Sequence, residues 1–253
     1  MNTLVAIDIG NTNITAGIFK GDRLAAKMKI TSNAYSLYES GFKALFRKAG
    51  LSLREEHEII ISSVVPMALA RLVMHLNKIT RCRITILGRD RTVPIKNLYK
   101  IKKEVGQDRL VNAYAAKILY GTPAVVIDFG TAVTFDIVSK KGDYLGGLIM
   151  PGIKLSLSSL YEKTALLPRV ELRLAPHIIG KSTVNSMRGG ILYGFGAMSD
   201  GLAAKYRKIL GRGLRVIATG GNAGLIKRYS GSIQAVDEDL TLKGLYLISL
   251  QGK

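Results

Sequence analysis

Two short runs of apolar residues, each ending on an aspartate, open two stretches of chain that share one order of elements: Val5-Ala6-Ile7-Asp8-Ile9-Gly10-Asn11-Thr12 and Val125-Val126-Ile127-Asp128-Phe129-Gly130-Thr131-Ala132. In the first stretch, apolar and β-branched runs bounded by turn residues predict strands at Leu4 to Ile7, Thr12 to Phe19 and Leu24 to Ile30, the last after Lys20-Gly21-Asp22. Helical spacing through Tyr38, Phe42, Leu45 and Phe46 predicts a helix ending near Gly50. A strand at Glu58 to Ser62, a helix over Met67 to Ile79 and a strand at Ile84 to Leu87 follow. From Ala124 the order begins again, with strands at Ala124 to Ile127, Ala132 to Val138 and Tyr144 to Ile149. Helices from about Ile153 to Tyr161 and Thr183 to Ile209, a strand at Leu214 to Ala218 and a closing helix from Leu240 complete the pattern.

Helices alternating with strands mean an α/β protein, and the leading triple meander makes each sheet mixed. The repeated order implies duplicated domains, placed at residues 1–115 and 116–253. A duplicated unit with a phosphate hairpin in each half is the architecture of the actin and hexokinase superfamily. The fold expected is therefore two actin-like (ribonuclease H-like) domains, helices on both faces of each sheet, with an ATP cleft between the halves. A Rossmann unit does not fit, because Ile14 to Phe19 continues as a strand where a helix should open. Gly180-Lys181-Ser182-Thr183 imitates the end of a Walker A loop, but Ala175 stands where its first glycine is needed.

Composition narrows the class. The 253 residues are 47% apolar, enough for a proper core, and the longest uncharged stretch, Ile59 to Ala70, is short of the roughly 17 residues of a spanning helix. The chain enters a strand at once, so the reading is cytoplasmic with no membrane partner. A single cysteine, Cys82, excludes an internal disulfide, and His57, His75 and His177 are too scattered for a zinc site. The charge is the oddity: 37 Lys and Arg against 18 Asp and Glu give +19. Basic residues are nevertheless spread along the chain, and the patch Lys205, Arg207, Lys208, Arg212 and Arg215 comes with no nucleic-acid-binding motif. Nucleic acid is thus not the partner expected; a basic surface also attracts small anions.

The chemistry lies in the turns. A strand that ends on a carboxylate and turns through glycine and hydroxyl residues suits polyphosphate, with the carboxylate holding a metal ion through water. Asp8 is the candidate for magnesium, Gly10, Asn11 and Thr12 for the β- and γ-phosphates, and Gly130, Thr131 and Thr134 for the same phosphates from the second half. Ala218-Thr219-Gly220-Gly221-Asn222-Ala223-Gly224, after a strand and before a helix, suits a nucleoside. Gly106-Gln107-Asp108-Arg109 opens a further helix. Asp108 there is either a proton acceptor or a dipole-complementing helix start, and Arg109 either a carboxylate clamp or a surface residue.

With Ser62-Ser63-Val64-Val65-Pro66, Glu104 to Arg109, Gly146-Gly147-Leu148-Ile149-Met150-Pro151-Gly152, Thr219-Gly220-Gly221 and Leu240 to Leu245 added to the two hairpins, the chain resembles the type III pantothenate kinases over nearly its whole length. The resemblance implies transfer of the γ-phosphate of ATP to the primary hydroxyl of pantothenate, giving 4'-phosphopantothenate, the first step of coenzyme A synthesis. It also implies Asp108 as catalytic base and Tyr99, Gly106, Gln107, Asp108, Arg109 and Thr183 as pantothenate-binding. ATP would meet Asp8, Ile9, Gly10, Asn11, Thr12, Asn13, Ile14, Thr15 and Thr131, with Mg2+ at Asp8 and a monovalent cation, K+ or NH4+, at Asp128. The family implies a homodimer, with Thr183 contributed to the partner's pocket. Two departures stand out, Ile101-Lys102 in place of Asn-Pro and Arg188-Gly189 in place of Gln-Ser. The alternatives are a catalytically altered paralogue acting as a regulator, and another small-molecule kinase of the superfamily.

Overall fold

The structure is a computed structural model and describes residues 3–252. It separates into two compact units. The first holds the described residues up to Ile95, with Ile101–Ala115 and the residues from Thr241 onward; the second holds Lys96–Lys100 and Ala116–Leu240.

In the first unit, β1 (Thr3–Ile9), β2 (Asn13–Lys20), β3 (Arg23–Thr31), β4 (Glu58–Ser63) and β5 (Arg83–Ile86) form one sheet in the order β3-β2-β1-β4-β5. β1 is antiparallel to β2 and parallel to β4. Because side chains alternate along a strand, Val5, Ile7 and Ile9 face one way with Ile59 and Ile61. They are covered by Phe42, Leu45 and Phe46 of α1 (Tyr38–Lys48) and by Leu72 and Leu76 of α2 (Pro66–Ile79). Leu4, Ala6 and Asp8 face the other way. On that side Phe19 stacks on Tyr246 of α7 (Leu240–Ser249) at 4.8 Å, and α7 in turn lies against α3 (Gln107–Tyr120), where a Cβ on Gly244 would meet the Val111 carbonyl at 2.8 Å.

The compact units divide differently from the expected boundary at residue 115: α7 falls with the first unit. Its amphipathic pattern announces a buried face without saying which sheet receives it; the glycine-close approach to α3, the Phe19 ring and the bond from Arg91 to the Ile248 carbonyl decide that. Residues 96–100 move the opposite way, because the Leu98 N–H donates to the Tyr144 carbonyl and the Tyr144 N–H to the Lys96 carbonyl, each at 2.9 Å.

The second unit repeats the plan. β6 (Ala124–Phe129), β7 (Ala132–Val138), β8 (Tyr144–Pro151), β9 (Arg215–Thr219) and a two-residue β10 (Ala235–Val236), which the pattern did not reveal, form a sheet ordered β10-β9-β6-β7-β8. Its first strand is again central, antiparallel to the second and parallel to the fourth. Val125, Ile127, Phe129, Val133 and Phe135 pack with Ile153 and Leu157 of α4 (Ile153–Glu162), Ile191 and Leu192 of α5 (Thr183–Leu210) and Ile226 of α6 (Ala223–Lys227). Ser182 caps α5 by accepting from the Asn185 N–H, and Gly211 at φ +99° ends it. The two mixed sheets, each with its first strand at the centre, are the actin-like architecture expected.

α5 is pinned to the loop after α6. Asp200 accepts from the Ser230 hydroxyl at 2.6 Å and from the Ser232 and Gly231 N–H groups at 2.9 and 3.1 Å. Burial works against the charged carboxylate, yet the hydrogen bonds from Ser230, Ser232 and Gly231 outweigh it and hold its pKa down to about 2. A folded pKa below the ordinary value gives stability that is present above the ordinary range and lost as pH falls toward 2. Asp200→Asn is therefore expected to lower Tm by a few degrees at pH 7, with the gap from the unmodified protein narrowing steadily below pH 4; a gap independent of pH would show that the charge is not what the loop uses.

Candidate functional site

Both hairpins turn at the C-terminal end of a central strand, where open α/β sheets collect ligands. In the first, Asp8 is level with Thr15 on the antiparallel neighbour and with Ser62 on the parallel one. In the second, Asp128 is level with Thr134 and Thr219. Paired residues point to the same face, so each aspartate stands between two hydroxyl residues. The sequence motif shows the aspartate and glycine; only the register shows the hydroxyls on either side.

The first turn is held from outside. The Gly10 N–H donates to the Asn13 carbonyl at 3.0 Å, the Ser32 hydroxyl donates to the Gly10 carbonyl at 2.6 Å, and the Ser32 N–H donates to the Thr12 carbonyl. Both carbonyls are thereby occupied, and Asn11 and Thr12 are exposed. The Ile9 and Ile14 side chains are fully buried in the core, so only their backbone is available to ATP. Asn13 and Thr15 are half-buried.

The second turn is held by the absence of side chains. A Cβ on Gly152, at the β8–α4 junction, would lie 2.0 Å from the Thr131 carbonyl oxygen and 2.7 Å from that of Gly130. A Cβ on Gly220, at φ +87°, would lie 2.4 Å from Asp128 Oδ1. The glycine-rich segments 146–152 and 219–221 thus let two other backbones press against the hairpin. Thr131 and Gly130 are exposed, whereas the Thr134 hydroxyl donates to Asp136 Oδ2 at 2.9 Å. Asp136 is fully buried and also accepts from the Tyr144 hydroxyl, so Thr134, expected at the phosphates, is committed to an internal network.

Gly106 to Arg109 sits at the same end of the first sheet as Asp8. The Val64 N–H continues the ladder beyond β4 by donating to the Ile9 carbonyl, and a Cβ on Gly106 would come within 3.3 Å of Val64 Cγ1 and 2.4 Å of Asp108 Oδ1. Gln107 packs beneath Gly88. Asp108 accepts from the Arg109 N–H at 2.8 Å. Burial raises its pKa above the ordinary carboxylate value, while that bond and the Arg109 charge pull the other way. Arg109 is only 8% exposed, so it is not the surface residue of the simpler reading.

Tyr99 lies on Gly146, with Tyr99 Cδ2 3.0 Å from where a Cβ would be, and its N–H is held by Asn97 Oδ1. Thr183 opens α5 and is exposed. Of the two departures, Ile101 precedes a 3-10 turn at Lys102–Glu104, and Arg188 donates to the Glu171 carbonyl at 3.0 Å within its own chain.

No group of three or more acidic, His or Cys side chains that could hold a metal occurs among the described residues. A single carboxylate such as Asp8 fits Mg2+, which keeps most of its shell as water and phosphate oxygens. No helix of the described residues is long and apolar enough to cross a membrane.

A family model described as Type III pantothenate kinase matches residues 4–205. A type III pantothenate kinase of Myxococcus xanthus (strain DK1622) is 42% identical over 248 residues, 97% of each chain. Among solved structures, a conserved Baf family protein of Campylobacter jejuni covers 98% of both chains with a TM-score of 0.63 at 18% identity. An inorganic polyphosphate/ATP-glucomannokinase of Arthrobacter sp. strain KM covers 99% of this chain and 100% of its own with a TM-score of 0.52 at 12% identity. These structural likenesses show the fold.

The contacts at Gly152 are with backbone and cannot be relieved by a side-chain rotation. Gly152→Ala is expected to lower Tm by displacing the Gly130–Thr131 turn, at a cost of the order of overpacking, ~1–3 kcal/mol, and, on the expectation that Thr131 meets ATP, to weaken ATP binding at least about tenfold. Gly213→Ala, with nothing within 4 Å, should leave both unchanged. Calorimetric titration with ATP checks it; equal affinities in the two variants would show that the turn yields without cost.

Proposed function

The chain belongs to the type III pantothenate kinase family and phosphorylates pantothenate at the expense of ATP, and we propose that it does so with Asp108 as proton acceptor and Arg109 as the clamp on the substrate carboxylate. The observation that carries this reading is the burial of Arg109, with Asp108 half-buried beside it, at the sheet end that also holds Asp8. A surface helix start would leave Arg109 in water, whereas a buried guanidinium is suited to a planar carboxylate. Gly106 and Gln107 complete the loop, and Tyr99 and Thr183 are the further pantothenate residues.

Phosphoryl transfer asks little covalent chemistry of a protein; positioning and charge neutralisation carry most of the rate. The tied turn of Gly10 to Asn13, with Asp8 and Thr15 flanking it, binds the phosphates of ATP, and Thr131 in its glycine-backed turn binds them too. Mg2+ bound with ATP at Asp8 offsets phosphate charge. Asp108 accepts the proton of the pantothenate primary hydroxyl at a carboxylate oxygen as that hydroxyl attacks. A carboxylate of ordinary acidity is a weak acceptor, so the upward push from burial favours the role.

Two finer features belong to the same proposal. Asp128, against the bare Cα of Gly220, is the place for a monovalent cation. The protein works as a homodimer: Leu166, Ile178 and Ile179 are 91%, 72% and 74% exposed in the stretch leading to Thr183, apolar side chains that a second copy would cover. The cover proposed is the same face of a second copy, which delivers Thr183 to the partner's pocket.

Coupled ADP-release assays with pantothenate, Mg-ATP and K+ test the assignment. Asp108→Asn should lower kcat roughly 10²-fold or more with little change in ATP affinity; a near-normal rate removes Asp108 from the chemistry. Asp108 must be deprotonated to act, so kcat/KM should fall on the acid side, above the ordinary carboxylate range. Arg109→Ala should raise the KM for pantothenate and, by removing a charge that lowers the Asp108 pKa, move that limb to higher pH; an unmoved limb and KM would return Arg109 to a structural role. Ile178→Glu with Ile179→Glu should yield monomers on sedimentation and lose pantothenate turnover; an active monomer would end the dimer reading.

A further inference from the structure

Ser62 is the residue that the reading so far leaves without work. It closes the run Ile59-Ile60-Ile61, is fully buried, and its Oγ has no hydrogen-bond partner among the described residues. A buried unsatisfied hydroxyl costs stability, and an alanine or a small apolar residue there would avoid the cost. Its neighbour behaves differently: the Ser63 hydroxyl accepts from the Val65 N–H at 3.1 Å and so shapes the turn into α2. Local structure therefore explains Ser63 and not Ser62.

Its position gives the reason. Ser62 is level with Asp8 on the parallel neighbour strand, and both side chains point to the α3 face. Adjacent strands lie about 4.8 Å apart, which puts the serine hydroxyl within side-chain reach of the aspartate carboxylate. The strand end cannot drift away, because the Val64 N–H is bonded to the Ile9 carbonyl and Val64 packs on Gly106. The second unit keeps a hydroxyl at the matching place, where Thr219 stands level with Asp128.

We propose that Ser62 is a positioning residue for the Mg-ATP site: on loading, its hydroxyl donates to the Asp8 carboxylate and fixes the orientation in which that carboxylate meets the metal-bound nucleotide. This rests on Asp8 as the magnesium-nucleotide carboxylate. The lack of a protein partner costs stability, and a bond to the Asp8 carboxylate would offset that cost.

The test compares Ser62→Ala, Ser62→Thr and Asp8→Asn by thermal unfolding and by calorimetric titration with ATP, each with and without Mg2+. Ser62→Ala should leave the Tm of the ligand-free protein unchanged or raised, yet weaken Mg-ATP binding about tenfold or more, the order of a hydrogen bond to a charged group. Binding of metal-free ATP should change far less, and Ser62→Thr, which keeps the hydroxyl as Thr219 does, should bind Mg-ATP within about threefold of the unmodified protein. Unaltered Mg-ATP affinity in Ser62→Ala, or a loss equal with and without metal and accompanied by a lower ligand-free Tm, would overturn the proposal in favour of a purely structural serine. The two assumptions separate cleanly: if Asp8→Asn binds Mg-ATP normally, the reading of Asp8 itself fails; if Asp8→Asn loses it and Ser62→Ala does not, only the role of Ser62 fails.

Discussion

The central position of the first strand in each sheet is the constraint from which the rest follows. β1 and β6 each have an antiparallel partner on one side and a parallel partner on the other. An antiparallel partner requires a tight turn at the strand's end; a parallel partner requires a crossover that returns the chain to the opposite end. The C-terminal end of the strand is therefore the one place where a turn with outward amides, a carboxylate and the end of a neighbouring strand meet. Asp8 and Asp128 occupy it, each with a hydroxyl residue at its own level on either side. A carboxylate one residue earlier would fall on the face filled by Ile7 or Ile127, where it would be buried among apolar side chains at prohibitive cost.

The two hairpins are stiffened by different means, which makes the duplication less symmetrical in energy than in topology. In the first unit, Ser32 supplies hydrogen bonds from the end of the meander, so the turn is held by polar contacts that a single side chain provides. In the second, Gly152 and Gly220 hold the turn by proximity, with carbonyl oxygens and the Asp128 carboxylate where side chains would otherwise be. The first turn therefore depends on one side chain, Ser32, and the second on the absence of side chains at Gly152 and Gly220.

Much of this was legible in the chain itself. The unbroken apolar runs Leu4 to Ile7 and Ala124 to Ile127 report burial of both faces, and the glycine and hydroxyl residues that end each run are the turn chemistry, so strands, helices and both hairpins could be placed from local pattern. What escaped was non-local. The helix from Leu240 shows an apolar face but not its recipient, because Val111, Gly17 and Phe19 enter only through packing. Thr134 looked like a phosphate ligand by analogy with its motif, and a buried Asp136 two residues on claims its hydroxyl. Ser62 did leave a signal, a polar residue at the close of three isoleucines, but a serine at a strand end is also ordinary turn chemistry. Register, not composition, distinguishes the two cases. The +19 charge, conspicuous in the composition, has no comparable focus in the site, where the one buried guanidinium argued to meet substrate is Arg109.

Asp108 and Arg109 show how adjacent residues can serve opposite needs. A base for an alcohol proton benefits from low acidity, which burial provides; a clamp for an anionic substrate requires a fixed cation, which makes any carboxylate beside it more acidic. Asp108 feels both, and burial is the larger influence. The Arg109 N–H, donating to Asp108 Oδ1, orients the carboxylate at the start of α3, so the group proposed as proton acceptor is held in place by the residue proposed as clamp. A substrate carboxylate reaching Arg109 would neutralise the charge that lowers the Asp108 pKa. By that argument the proposed base becomes a better acceptor when pantothenate is in place.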